Sequence, residues 1–247
     1  MAVRLLSVAA LLLTWGLASL VVPGDAVPSP ARTAAMMWDN LASGEVVGDL
    51  GGTLNPLLWG FVGWIGLGIA VGMAMGFSPR AERALNVWVM VALTVPGLCY
   101  AIVAFLWIGL NDVAAVGAGG GAAFPSIPLT IWEGGAGVDN RLVDMARAFG
   151  ARPRRRLRKV VVPQLLPYIM AAARYGLGII WKITVLVELL GLSSGVGYML
   201  HYWFQLNNMA QVFAWTTFFT IVMLFLELGV LKRVERHLFA WRPEARV

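Results

Sequence analysis

Apolar positions gather along the chain into six blocks: residues 5–22, 57–77, 87–108, 113–132, 171–190 and 211–231. Each is long enough to cross a bilayer as a helix, which takes roughly 20 residues. Polar residues collect in the segments between the blocks. The pattern predicts an all-α membrane protein with about six transmembrane helices. Gly117, Gly119, Gly120, Gly121, Pro125 and Pro128 interrupt the fourth block. Freed backbone groups at membrane depth need neighbouring protein to cover them, so this helix is expected inside a bundle rather than against lipid. In the second block Gly68, Gly72 and Gly76 fall four apart on one face. Such a stripe of small residues lets another helix approach closely. The first block follows Arg4, and its apolar run is longer than the roughly 7–15 residues of a signal-peptide core, so it is read as a retained helix.

The segments between blocks carry patterns of their own. Residues 23–56 begin with the turn-like PGDAVPSP. Residues 31–41 then predict a short helix with Met37, Trp38 and Leu41 on one side, lying on the outer membrane surface. Between the fourth and fifth blocks, Leu142, Met145, Ala146 and Phe149 follow a helical spacing. Asp139 or Asn140 is a cap for that helix, and Gly150 is its stop. Pro153 suits the first turn of a second, basic helix. That helix runs through Leu157 and Val160, and Pro163 and Pro167 are expected to mark its return to the bilayer.

Composition sharpens this picture. The 247 residues are 59% hydrophobic and 13% charged, too little polar surface for a soluble domain of this size. The net charge of +6 does not point to nucleic acid, because the cations are grouped by topology. With the N-terminus inside, the cytoplasmic segments hold 16 of the 19 Lys and Arg residues. These are Arg4, Arg80, Arg83, a central cluster (Arg141, Arg147, Arg152, Arg154, Arg155, Arg156, Arg158, Lys159), and Lys232, Arg233, Arg236, Arg242 and Arg246. The bias follows the positive-inside rule and places both termini in the cytoplasm. Anionic lipid is one expected contact of the central cluster.

Candidate chemistry is sparse. Cys99 is the single cysteine, so no intramolecular disulfide forms. His201 and His237 offer no metal-ligand spacing; His201 reads as an interfacial residue beside Tyr202 and Trp203. No cofactor is implied. The acidic residues are scattered, and no G-x-x-x-x-G-K-[ST] phosphate loop is present. Lys182 and Glu188 lie within the fifth block, six positions apart, so they do not share a helix face. A charge at the bilayer centre costs roughly 2.5–3.5 kcal/mol on insertion scales and is by default functional. Lys182 is therefore a candidate contact for an anionic solute. Glu227 is expected to pair with the inner basic residues. An ion-gradient-driven secondary transporter is the alternative, and it would be expected to show an internal repeat of spans. A membrane enzyme would need clustered His, Asp or Glu. A scaffold would need no intramembrane charge.

The central loop resembles the EAA loop of permease subunits of binding-protein-dependent ABC importers. That family shows E-A-A, three residues, Gly, nine residues, then Ile-x-Leu-Pro. Here Asp144-Met145-Ala146 precedes Gly150, and Val160-Val161-Val162-Pro163 follows at the same spacing. PSPARTAAMMWDNLASGE, TVPGLCYAIVAFLWIG, Phe124-Pro125, LVDMARAFGA, VELLGLSSGVGY and LKRVERHLFAWR are similar to the nitrate/sulfonate/taurine-type members. Pro56 stands where an arginine is usual, and the GAGGG run at 117–121 replaces bulkier residues.

The resemblance implies a type I importer permease fold and an inner-membrane location in a bacterium. It divides the chain into residues 1–56, a first helix plus outer segment, and 57–247, a five-span domain with a coupling loop at 139–163. It implies an ABC ATPase dimer, an extracytoplasmic substrate-binding protein and a second permease copy as partners. ATP hydrolysis then belongs to the ATPase, and this chain is not an enzyme. Asp144, Met145, Ala146, Phe149, Gly150, Ala151 and Pro163 become the ATPase-coupling residues. Pro96, Lys182 and Glu188 become candidates for the translocation pathway. The implied cargo is a small anion such as a sulfonate, nitrate or taurine.

Overall fold

Helix follows helix in the computed structural model, which describes residues 2–22 and 26–239; no strand occurs among them. The side chain of Arg4, residues 23–25, and Trp241, Arg242 and Arg246 of the closing segment lie outside what is described. The order is α1 (Ala2–Val21), α2 (Pro30–Ser43), α3 (Glu45–Phe77), α4 (Pro79–Thr94), α5 (Gly97–Ile108), α6 (Asp112–Ala123) and α7 (Ser126–Ala136). Then come α8 (Asn140–Ala148), α9 (Pro153–Arg156), a π-helical turn (Leu157–Val161) and α10 (Val162–Gly191). The chain ends with α11 (Val196–Gln205), α12 (Met209–Leu224), a second π segment (Phe225–Leu231) and α13 (Lys232–Leu238). Local chemistry sets several starts. Ser29 and Ser78 each accept the backbone N–H of the third residue of the following helix, which begins with Pro30 and Pro79 respectively. Asn111 does the same for α6.

By length and composition, four stretches reach across a membrane: Glu45–Phe77, Asp112–Gly135, Pro153–Gly191 and Met209–Leu238. The shorter apolar helix Leu5–Val21 covers the first block. The third block departs from the expected straight span. It is two helices, α4 and α5, bent by 98° at Val95–Pro96. Pro163 and Pro167, expected to mark the return of the basic helix to the bilayer, do not interrupt it. Helix runs through both prolines, and the stretch from Pro153 to Gly191 is 39 residues long.

Two contact-defined units divide the chain. One comprises Met1–Asn55 and Val185–Leu226; the other comprises Pro56–Thr184 and Glu227–Val247.

In the first unit Val46, Val196, Trp215 and Phe218 form a buried core. Met37, Leu50, Met199 and Trp203 pack around it. This separates two residues expected on one side of α2: Met37 turns to the core, while Trp38 stays 72% exposed. The buried face of α2 is completed by Asn40. Its amide donates to Gln211 Oε1 at 2.7 Å, and Gln211 Nε2 donates back to Asn40 Oδ1 at 3.2 Å. Two amides that satisfy each other remove the desolvation cost either would carry alone. Trp15 of α1 donates to the Pro28 carbonyl at 3.0 Å and lies 5.9 Å from the Phe213 ring.

In the second unit the glycine-rich α6 is buried along Ala114, Ala115, Ala118, Gly119, Gly120 and Ala123, as its composition predicts. Trp64 covers it, donating to the Val116 carbonyl at 3.1 Å and meeting Phe124 edge-on. The Gly68/Gly72/Gly76 stripe faces Ile127, Pro128, Ile131 and Gly135. A Cβ at Gly72 would stand 2.8 Å from both Ile131 Cβ and the Pro128 carbonyl. Gly72→Leu is therefore expected to destabilise by at least about 1–3 kcal/mol, the usual cost of overpacking. Gly63→Leu, which meets open space, should change little. Melting of the two variants in detergent, followed by size-exclusion fluorescence, checks the difference.

Candidate functional site

The segment 139–163 is built largely from local signals. Asp139 Oδ1 accepts the Arg141 N–H at 2.8 Å, and the Asp139 N–H donates to Gln164 Oε1 at 2.8 Å. The first contact caps α8, and the second ties its start to α10. At the other end Gly150 adopts φ +70°, the left-handed region that favours glycine. The Gly150 N–H donates to the Arg147 carbonyl at 2.9 Å, and the Ala151 N–H donates to the Ala146 carbonyl at 3.0 Å. This pair of bonds is the Schellman closure of a helix. Nothing lies within 4 Å of where a Gly150 Cβ would point, so the glycine is needed for its backbone alone.

No residue of α8 is buried. Leu142, Met145 and Phe149 form an uncovered apolar stripe, with Phe149 84% exposed. Asp144 and Arg147 occupy the polar side, paired at 3.4 Å across one turn. Both are well exposed, and such pairs contribute little. The structure thus brings Met145, Ala146, Phe149, Gly150 and Ala151 together at one end of α8. Asp144 looks outward, and Pro163 sits at the start of α10.

The pathway candidates differ in exposure and in partners. Pro96 is exposed at the bend between α4 and α5. The Val95 N–H and the Tyr100 hydroxyl both donate to the Ala92 carbonyl, at 3.2 and 2.9 Å. Tyr100 thus helps satisfy a carbonyl left over where α4 ends. Lys182 is exposed on α10 and has no ion-pair partner among the described residues. Glu227 pairs with Arg174 of the same long helix instead of the inner basic residues, at 3.7 Å, and Glu235 joins them at 2.8 Å. His201 contacts Gln205 one turn further along α11.

Glu188 is 2% exposed and fully engaged. Its Oε2 accepts the Gly197 N–H at 2.8 Å and the Thr53 hydroxyl at 3.0 Å. Thr53 Oγ1 in turn accepts the Val196 N–H at 2.9 Å, and Asp49 Oδ1 accepts the Gly195 N–H at 3.1 Å. The first N–H groups of a helix have no partner within it, and Gly195 has no side chain to cap α11. Asp49, Thr53 and Glu188 supply those acceptors from α3 and α10. Gly195, at φ +99°, could not carry a Cβ, which would stand 2.6 Å from Glu188 Cδ. Sequence reasoning picked out Glu188 as a charge but missed Asp49 and Thr53. Their spacing of four residues ahead of an apolar run was the visible signal.

Comparison with known proteins gives four matches. Residues 65–239 match the family described as binding-protein-dependent transport system inner membrane component. The chain is 32% identical over 222 residues to the putative aliphatic sulfonates transport permease protein SsuC of Bacillus subtilis (strain 168), covering 90% of this chain and 80% of that one. It is 27% identical over 210 residues to the taurine transport system permease protein TauC of Escherichia coli (strain K12), covering 85% and 73%. A chain of the MetNI methionine ABC transporter, solved in inward-facing conformations, shares its fold. That likeness has a TM-score of 0.67 at 19% identity, over 83% of this chain and 98% of that one.

Proposed function

The chain belongs to the binding-protein-dependent transport system inner membrane components, and from that premise we propose that α8 is the element through which an ATPase subunit drives this permease. The observation that carries the proposal is the uncovered stripe Leu142, Met145 and Phe149, held in one arrangement by Asp139 and Gly150. A short rigid helix with an apolar face can be gripped and moved as a unit, which is the kind of packed element that coupling between distant sites requires. ATP hydrolysis belongs to the partner, since the sequence has no phosphate-binding loop. The chain pairs with a second copy of itself, receives solute from an extracytoplasmic binding protein, and is bathed in membrane lipid. Six spans follow if α1 crosses and α4–α5 counts as one bent span. Both termini then lie in the cytoplasm, as the distribution of Lys and Arg favours.

The cargo is a small anion of the sulfonate, nitrate or taurine kind. Sulfonate and taurine are printed in the names of similar permeases, and the exposed cation of Lys182 suits such a charge. Pro96 marks the bend where a broken helix borders the pathway. Glu188 holds the start of α11 and is not offered to the solute. In proteoliposomes holding the complex and the binding protein, taurine and alkanesulfonates should be taken up only with ATP. Uptake should persist with ionophores present; ATP-independent, ionophore-sensitive uptake would favour a gradient-driven carrier. Lys182→Ala should lower anion uptake at least tenfold while Lys182→Arg retains it, and equal rates for all three would remove Lys182 from the pathway.

A further inference from the structure

Beside the exposed stripe of α8 lies a groove of about 640 Å³, within the range of small recognition clefts. Arg152, Arg155, Arg156 and Lys159 line it together with Phe149 and Val160. The spacing of three, four and seven residues puts these cations on one side of the basic helix. No carboxylate lines the groove, and among the described residues none of the four cations has an ion-pair partner. The π turn Leu157–Val161 forms part of its base, and such turns recur at functional sites.

Depth decides which anion fits. At 1.5 Å per residue, Lys159 and Arg152 lie about 6 and 16 Å along the helix from Pro163, where the return to the bilayer is expected. The headgroup layer on each side of a bilayer is only about 5–8 Å thick. Even with the usual tilt of about 20°, Lys159 alone reaches the headgroup layer, while Arg152, Arg155 and Arg156 stand beyond it, within reach of a soluble protein.

We propose that this groove receives a carboxylate-bearing edge of the ATPase subunit. The proposal rests on the reading of α8 as the coupling element and adds a second contact to it. The apolar stripe supplies packing, and the cation groove supplies salt-sensitive steering and partner choice.

The test uses the full chain in nanodiscs and the ATP-hydrolysing subunit that co-purifies with it. Affinity is measured from 50 to 500 mM salt for four chains: wild type, Arg155→Glu/Lys159→Glu, Arg154→Glu/Arg158→Glu, and Phe149→Asp. The Arg154/Arg158 pair changes charge equally in the same helix but outside the groove. The groove variant should bind at least tenfold more weakly at 50 mM and lose most of its salt dependence, with the Arg154/Arg158 variant within threefold of wild type. Equal effects of the two charge variants would overturn the groove. Loss of binding in Phe149→Asp with no effect in the groove variant would overturn it too, while sparing the coupling role of α8. Unchanged binding in Phe149→Asp would instead remove the coupling role itself. A groove effect that vanishes when phosphatidylglycerol is left out of the discs would assign the site to lipid and overturn the proposal.

Discussion

Phe149→Asp is expected to strip the ATPase subunit from the purified complex while leaving the chain folded. Phe149 is 84% exposed and covers nothing within its own helix, so its removal costs the fold little. Surface changes away from special features usually stay within about ±0.5 kcal/mol. For binding the position is different. An exposed aromatic at the end of an apolar stripe is the residue type that dominates interface energetics, where truncation commonly costs about 2–4 kcal/mol. A carboxylate there would also have to be desolvated against the partner. The expected loss of affinity is therefore 30-fold or more, at about 1.4 kcal/mol per tenfold. Melting temperature and elution volume should match wild type. A stable variant that still retains the ATPase would show that the stripe is not the contact.

Glu188→Ala should have the largest effect on stability. It leaves the Gly197 N–H without its acceptor in a buried site, at about 1–3 kcal/mol, and leaves the Thr53 hydroxyl only the Asp49 carbonyl at 3.3 Å. The removed side chain leaves a void that adds to this. A loss of roughly 2–4 kcal/mol follows from these terms together. Glu188→Gln keeps one acceptor oxygen and should retain most of the stability. The comparison also separates two roles. An anchoring Glu188 predicts that melting temperature and uptake fall together in Glu188→Ala and recover together in Glu188→Gln. A pathway Glu188 predicts normal melting with altered uptake in both.

Much of the helical layout was legible because its determinants are local. Asp139 and Gly150 bracket α8, and the glycine stripe of α3 finds a partner helix in α7. The helix at 140–148 is read best, because Asp139 and Gly150 at its two ends set it locally. What depends on distant partners was hidden. Pro96 was visible, but the 98° bend also uses Tyr100 and the close approach of Ile183 to Gly97. Thr53 lies 135 positions from the carboxylate it serves. Glu227 finds Arg174 and not the nearby basic run, and Met37 parts from Trp38 because the core of one unit lies on only one side of α2.

The coupling role of α8 is tested most directly by cross-linking. In a Cys99→Ser chain, a cysteine is placed at Met145 on α8 or at Leu110 beyond α5, both exposed positions. A short thiol-to-amine reagent is then added to membranes that hold the assembled complex. The account predicts that Met145→Cys joins the ATPase subunit, with a yield that changes when ATP is bound, and that Leu110→Cys does not. Absence of that adduct from Met145→Cys, or an equal one from Leu110→Cys, would contradict it.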